Sequence, residues 1–477
     1  MKHQAFNPFL PSYEYIPDAE PYVFGDRVYI YGSHDRFGGN AFCMNDYVTW
    51  SAPIDDLSDW HFEGVIYRKE QDPRCQPDSC MYAPDIVRGA DGRYYLYYTL
   101  DFTGTMSVAV ADSPAGPYAY YGRVHTKDGH IIGDSDGDIY QYDPGVLVDE
   151  DGRIWLYTGF CPNHNWSTRR HDRQQDGAYC MELEADMLTL KSEPTIVIPA
   201  AADAADTDFA AHPFFEASSI RKIGNLYYLA YSSIHLHELC YAVSQYPDRG
   251  FRFGGVLVSN GDIGTADWTA EHSANYFNNN HGGMIEINGQ WYIFYHRHTN
   301  YTSYSRQACA EKLTLTPDGR FLQAELTSCG LNDGDLHGFG TYPASIACHL
   351  FAAGGALNNR FLKEEKEKHP AFTQTGADRE ADGDAYITNM QNGSTAGYRY
   401  FDLRDTKKIA VQVRGDGGSI TVRDSRDGNI LAQIPVEASA EYANFSAPLS
   451  GGSAHSGLYF TVQTEGRMDF SHFVLSR

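Results

Sequence analysis

A chain of 477 residues exceeds what one ordinary hydrophobic core organises, so two or three domains are expected. A net charge of −25 excludes nucleic acid and anionic membrane as partners, because both repel an acidic surface. An aromatic fraction of 14%, with 35 Tyr, suits pleated strands and surfaces on which sugar rings stack.

The N-terminus, MKHQAFNPFLPSYEYIP, has neither an uninterrupted apolar core nor a small-residue cleavage site, so no signal peptide is expected. No run of 18 apolar residues follows, which excludes a transmembrane helix. The nine Cys are scattered without zinc-type pairing, Cys75 and Cys80 being nearest, and read as reduced thiols of a cytoplasmic protein. From residue 25 a pattern repeats. A turn precedes a Tyr/Trp-rich apolar run at 25–32 (GDRVYIYG), 92–98, 151–158, 224–231 and 288–295. The markers Tyr29, Tyr95, Trp155, Tyr228 and Tyr292 are spaced by 66, 60, 73 and 64 residues. About ten residues before each run stands an ionisable side chain beside Pro or Gly, or in FFEA: Glu20, Asp85, Asp143, Glu216 and His281. Segments 106–114 and 240–250 read as third strands ending in Pro-marked turns. Periods of this length predict a five-bladed β-propeller over 1–325, with the ionisable residues facing one axis. The irregular stretch 160–215 is expected to form long loops on one face.

Composition shifts near 330. After the charged, solvated stretch 361–370, short alternating strands return at 398–403, 408–415, 419–424, 458–466 and 469–476. These predict a β-sandwich over 326–477, an accessory module without clustered carboxylates. The fold class is therefore all-β.

Converging carboxylates are what glycoside hydrolysis needs. One carboxylic acid protonates the leaving oxygen, and a second carboxylate activates water or attacks the sugar. Glu216, in the apolar context HPFFEASSI, is suited to remain protonated. Asp143, in QYDPGVLV, can be the neighbouring charge that keeps it so. Glu20 or Asp18, in YIPDAEPYVF, supplies the base. An Asp before Pro alone is commonly a turn residue; the shared offset in five repeats gives these positions their weight.

The segments MYAPDIVRGADGRYYLYYT (81–99), YDPGVLVDEDGRIWLYTG (142–159), FFEASSIRKIGNLYYLAYS (214–232) and NHGGMIEINGQWYIFYHRH (280–298) resemble glycoside hydrolase family 43. The resemblance implies five-bladed propellers that act on β-xylosides, α-L-arabinofuranosides and arabinans with inversion. It places Glu216 on the general acid and Asp143 on the aspartate that tunes it. The family's Ala-Asp-Pro, aligned on Pro21, places Glu20 on the base position, and the usual Asp chemistry favours Asp18 two residues earlier. The register leans to Glu20. Arg306 matches an arginine set against sugar hydroxyls, with a plain strand-end ion pair as the alternative. His281 matches an axial histidine beside a calcium ion or a water cluster. A lone imidazole does not decide between them, and the reaction itself requires no cofactor. Asp85 is expected to orient the second blade and the pocket floor, and His34 and Asp35 to line the rim. Trp166, Tyr82 and Phe42 are candidate stacking surfaces.

The segments at 387–401, 411–415, 458–466 and 469–477 resemble the family 6 type of carbohydrate-binding module, which here is expected to pack on the propeller rather than to bind sugar. The leading expectation is an inverting exo-glycosidase releasing terminal xylose or arabinofuranose from oligosaccharides. The resemblance also leaves a homo-oligomer open. Retaining five-bladed fructosidases are disfavoured, because their Asn-Asp-Pro-Asn-Gly and Glu-Cys motifs do not occur. The alternative from another class is a non-catalytic sugar-binding propeller that has lost its base, which only Glu20 supports.

Overall fold

The computed structural model describes residues 3–101, 103–162, 173–357, 366–381 and 383–477. Among these, five four-stranded antiparallel sheets follow one another along the chain, each with its strands in sequential order except for direction of counting. Blade 1 comprises Glu20–Phe24, Arg27–Tyr31, Tyr47–Pro53 and His61–Tyr67. The innermost strands of blades 2 to 5 are Asp85–Arg88, Gly145–Val148, Phe214–Ile223 and Met284–Ile287. The aromatic runs form the second strands, for example Tyr94–Tyr98 and Gln290–His298, and the expected third strands are Ser107–Ala111 and Leu239–Ser244. The fold is a five-bladed β-propeller with a C-terminal sandwich.

The second strands are buried on both faces, because each blade packs between two neighbours; Tyr94–Tyr98 is buried throughout. This explains why they read as continuous apolar runs rather than as alternation. The ring closes between the last blade and the first. Ile287, Tyr292 and Phe294 share one core with Val28, Ile30 and Trp50. Asn7 fastens the N-terminal segment to the last blade, its Nδ2 donating to the carbonyl of Ala310 and to Glu311 Oε1, each at 2.8 Å.

The last blade ends at Phe321–Leu322, and the first strand of the C-terminal unit is Leu336–His337. Two six-stranded sheets face each other there over a core that includes Tyr398, Val411, Phe460 and Phe473. A buried ion cluster joins the two units. Asp262, from the propeller, meets Arg399 Nη2 at 2.7 Å and His349 Nε2 at 2.8 Å. Removing one member would strand a buried charge. All nine cysteines are free thiols. No helix among the described residues is long and apolar enough to cross a membrane.

Candidate active site

At the blade axis a cavity of about 230 Å³ opens on the face where the innermost strands begin. Asp18, Asp143, Glu216, His281 and Arg306 line it, with walls formed by Phe42, Tyr82, Tyr142, Phe160, Phe215 and Tyr304. Local backbone geometry aims the acidic groups. Asp18 and Asp143 each stand two residues before an innermost strand in the left-handed region, with φ of 60° and 45°. Asp tolerates that conformation better than most residues do. Glu216 sits in a β-bulge whose register shifts on both sides, and Ala217 beside it has φ of 72°. Bulges of this kind re-aim a side chain.

The glycines of the Asp-Pro-Gly and His-Gly-Gly motifs answer to crowding. A Cβ on Gly145 would lie 2.8 Å from the carbonyl oxygen of Ser218 on blade 4. One on Gly283 would lie 2.3 Å from Glu20 Oε2.

The carboxyl groups are driven apart electrically. Burial pushes Glu216 well above the usual carboxylate range, and the charge of Asp143 adds to it. Burial also raises Asp143, but His281 Nδ1 lies 3.4 Å away and the Ala217 N–H donates to Asp143 Oδ2 at 3.1 Å. Among the described residues Glu216 accepts no such hydrogen bond, and His281 and Arg306 only partly offset its burial, so Asp143 is the better placed of the two to carry the charge and Glu216 the proton. Against its burial, His281 is pushed up to about 9, first by Asp143 and then by Asp18 and Glu20. Burial would raise Asp18 too. Arg306 Nη1 at 3.0 Å and His296 Nδ1 at 3.2 Å outweigh it and hold Asp18 well below the usual range. One protonated and one firmly ionised carboxyl group in one cavity can deliver a proton and accept one.

Glu20 lies elsewhere. It is fully buried, does not line the cavity, and its Oε2 accepts from Arg221 Nη2 at 2.9 Å and Ser219 Oγ at 3.0 Å. Strand alternation would put residues 18 and 20 on one face, but the left-handed turn at Asp18 breaks the alternation. Asp18 therefore turns into the cavity while Glu20 and Tyr22 run down the axis. Arg221 is stacked over Tyr22 at 4.5 Å and also donates to the Met284 carbonyl, linking blades 1, 4 and 5.

Asp85 lies outside the cavity lining as well. It accepts from Tyr22 Oη at 2.6 Å and from the Val146 N–H at 2.7 Å, tying the first three blades together below the floor. Burial, reinforced by Glu20, pushes it up to about 7. His34 is buried behind the rim, its Nδ1 on the Asp46 carbonyl and Nε2 facing Glu14. Its ring is engaged there and does not line the cavity, whereas Tyr82 does. Arg306 does, but Asp35 and Asp18 take its donors. Trp166 falls outside the described residues.

A calcium ion at the axis fits this donor set poorly. His281 Nε2 and Glu20 Oε1 face each other at 3.9 Å, and neither has a hydrogen-bond partner. They offer one free carboxylate oxygen and one nitrogen, where calcium takes roughly six to eight oxygens. Arg221 already neutralises that carboxylate. The pair suits a bridging water.

Sequence reasoning did not single out His296 and Arg221, nor Asn278 and Asn279, which also line the cavity. His296 stands in FYHRH just past the last aromatic run, where a second strand reaches the cavity face, and that position was the available signal. Arg221 follows Glu216 on the same innermost strand.

The family 43 glycosyl hydrolase model matches residues 7–321. The chain belongs to glycoside hydrolase family 43. It is 50% identical to a xylosidase/arabinosidase of Thermoclostridium stercorarium, over the whole of this chain and 99% of that one. A xylosidase/arabinosidase of Bacteroides ovatus is 28% identical, covering 60% of this chain and 87% of the relative. Among solved structures, a family 43 β-xylosidase/α-arabinofuranosidase from a compost metagenome, in complex with xylotriose and calcium-free, aligns with a TM-score of 0.51. That alignment has 26% identity and covers 66% of this chain and 96% of the other. The family 43 arabinoxylan arabinofuranohydrolase of Bacillus subtilis aligns over 99% of this chain and 97% of its own, with a TM-score of 0.52 and 20% identity, a likeness of fold. The protein is thus a glycoside hydrolase, and the binding-only alternative loses its support now that Asp18 occupies the cavity.

Proposed function

We propose that this family 43 enzyme is an inverting exo-glycosidase that releases terminal xylose or arabinofuranose from xylo-oligosaccharides. The observation that carries this reading is the cavity that Glu216, Asp143 and Asp18 share, where burial and Asp143 favour a proton on Glu216 and Arg306 at 3.0 Å favours charge on Asp18. Glu216 is the general acid and protonates the leaving glycosidic oxygen. Asp18, not Glu20, is the base and takes a proton from the attacking water. Asp143, held ionised by His281, keeps Glu216 protonated and oriented. Arg306 and His296 fix the Asp18 carboxylate so that it stays ionised in acid.

The pentose assignment rests on the relatives named xylosidase/arabinosidase, and exo action is supported by a cavity of about 230 Å³, smaller than the roughly 300–1,000 Å³ of most ligand pockets. Aromatic walls at Tyr142, Phe160 and Phe215 offer apolar faces to a sugar ring. No step requires a metal or a cofactor.

The test is turnover of 4-nitrophenyl β-D-xyloside and 4-nitrophenyl α-L-arabinofuranoside, with the first-formed anomer followed by NMR. Release of α-xylose from the β-xyloside is expected. A retained anomer would overturn the roles of Asp18 and Glu216, and no turnover of either substrate would overturn the pentose assignment.

A further inference from the structure

Part of the cavity wall comes from two loops. One runs between the second and third strands of blade 1, over 32–46, and presents Phe42 and Cys43. The other, over 299–305, presents Ser303 and Tyr304. Phe42 meets Tyr304 edge to face at 5.3 Å, and the Arg306 guanidinium lies 5.0 Å from the Phe42 ring.

Both loops are braced by one strip of the C-terminal sandwich. The Phe372 carbonyl accepts the Asn300 N–H at 2.8 Å, and the His369 carbonyl accepts Tyr301 Oη at 2.9 Å. Further along the strip, Asp378 grips the first loop with both oxygens. Its Oδ1 accepts the Phe37 N–H at 2.7 Å, and its Oδ2 accepts Asn45 Nδ2 at 3.0 Å. The same Asn45 amide donates to the Asp35 carbonyl at 3.0 Å. Asp35 in turn accepts the Cys43 N–H and three donors of Arg306. A chain of hydrogen bonds therefore runs from the sandwich to the arginine that holds Asp18.

We propose that Asp378 is a positioning residue for substrate: it fixes the 32–46 loop, and through it the Phe42–Tyr304 wall against which the saccharide rests. The inference rests on reading this cavity as the saccharide site. The accessory unit then belongs to the binding of substrate without touching it. The grip acts on the wall, and Asp378 is four hydrogen bonds removed from Asp18, so it governs affinity more than the chemical step.

The test compares wild type with Asp378→Ala, Asp378→Asn and Asn45→Ala on 4-nitrophenyl β-D-xyloside, with amide exchange of residues 33–46 measured on the same samples. Loss of a charged acceptor is expected to raise KM roughly tenfold in Asp378→Ala. kcat should stay within about twofold. Asp378→Asn keeps an acceptor for the Phe37 N–H and should restore part of the affinity. Asn45→Ala breaks the same bridge from the propeller side, so it should reproduce the KM effect and add little to Asp378→Ala in the double variant. It also keeps the test available if Asp378→Ala does not fold. Exchange at 33–46 should quicken in both. KM unchanged in both variants, or kcat falling as much as KM rises, would overturn the proposal. Should the wild type turn over no pentoside, exchange still decides: unchanged protection of 33–46 overturns the grip, and faster exchange supports it independently of the sugar.

Discussion

At the scale of single residues, the division of labour between two carboxyl groups comes from their neighbours. Glu216 has burial and a negative neighbour, Asp143, and both favour the protonated form. Asp18 is as thoroughly enclosed, but a guanidinium and an imidazole lie within hydrogen-bonding distance. The pH–rate profile should report both. With Glu216 as the proposed acid, its alkaline limb follows deprotonation of Glu216, so Asp143→Asn, which removes a charge that raises the acid's pKa, should move that limb to lower pH. With Asp18 as the proposed base, its acidic limb follows protonation of Asp18. Arg306→Lys loses the fork that spans Asp35 and Asp18, weakens the cation's hold on the base, and should move that limb to higher pH. Limbs that stay in place when kcat/KM is measured across pH would assign these residues other tasks. The Glu216, Asp143 and His281 positions were legible in the sequence because each sits at the shared offset before an aromatic run. The choice between Asp18 and Glu20 was not. It depends on a left-handed φ at Asp18 and on Arg221 arriving from blade 4, and neither is a property of the local segment.

At the scale of elements, innermost strands approach one another so closely that only glycine fits at certain points. Gly283 is one such case, because a methyl group there would overlap the buried Glu20 carboxylate that Arg221 and Ser219 hold in place. Gly283→Ala should cost about 1–3 kcal/mol, as overpacking does, and lower the thermal midpoint with little change in the aromatic circular dichroism of the blades. A midpoint equal to wild type would mean that the axis has room to adjust. The strands themselves were readable: turn, aromatic run and third strand recur with spacings that only a repeating sheet explains. What alternation could not convey is the bulge at Glu216, since a register shift appears only once its partner strand is known. His34 was misplaced for a similar reason. Its tie to Glu14 and Arg379 draws it behind the rim, and Arg379 lies 345 positions further along the chain.

At the scale of the whole molecule, the propeller gathers side chains from distant positions at one axis and the sandwich braces part of the wall they share. The buried cluster of Asp262, His349 and Arg399 holds the two units together, and the strip from His369 to Asp378 reaches the loops around the cavity. The sequence indicated two units from the change in composition near 330, but it held no sign of this contact, because hydrogen bonds between units leave no periodicity. The claim on which the rest depends is that Glu216 is the proton donor. The most direct measurement compares wild type and Glu216→Gln on xylobiose and on 2,4-dinitrophenyl β-D-xyloside, whose leaving group needs no protonation. Loss of a general acid should slow xylobiose hydrolysis by about 10²–10⁴-fold while sparing most of the aryl-glycoside rate. Equal losses on both substrates would contradict the assignment.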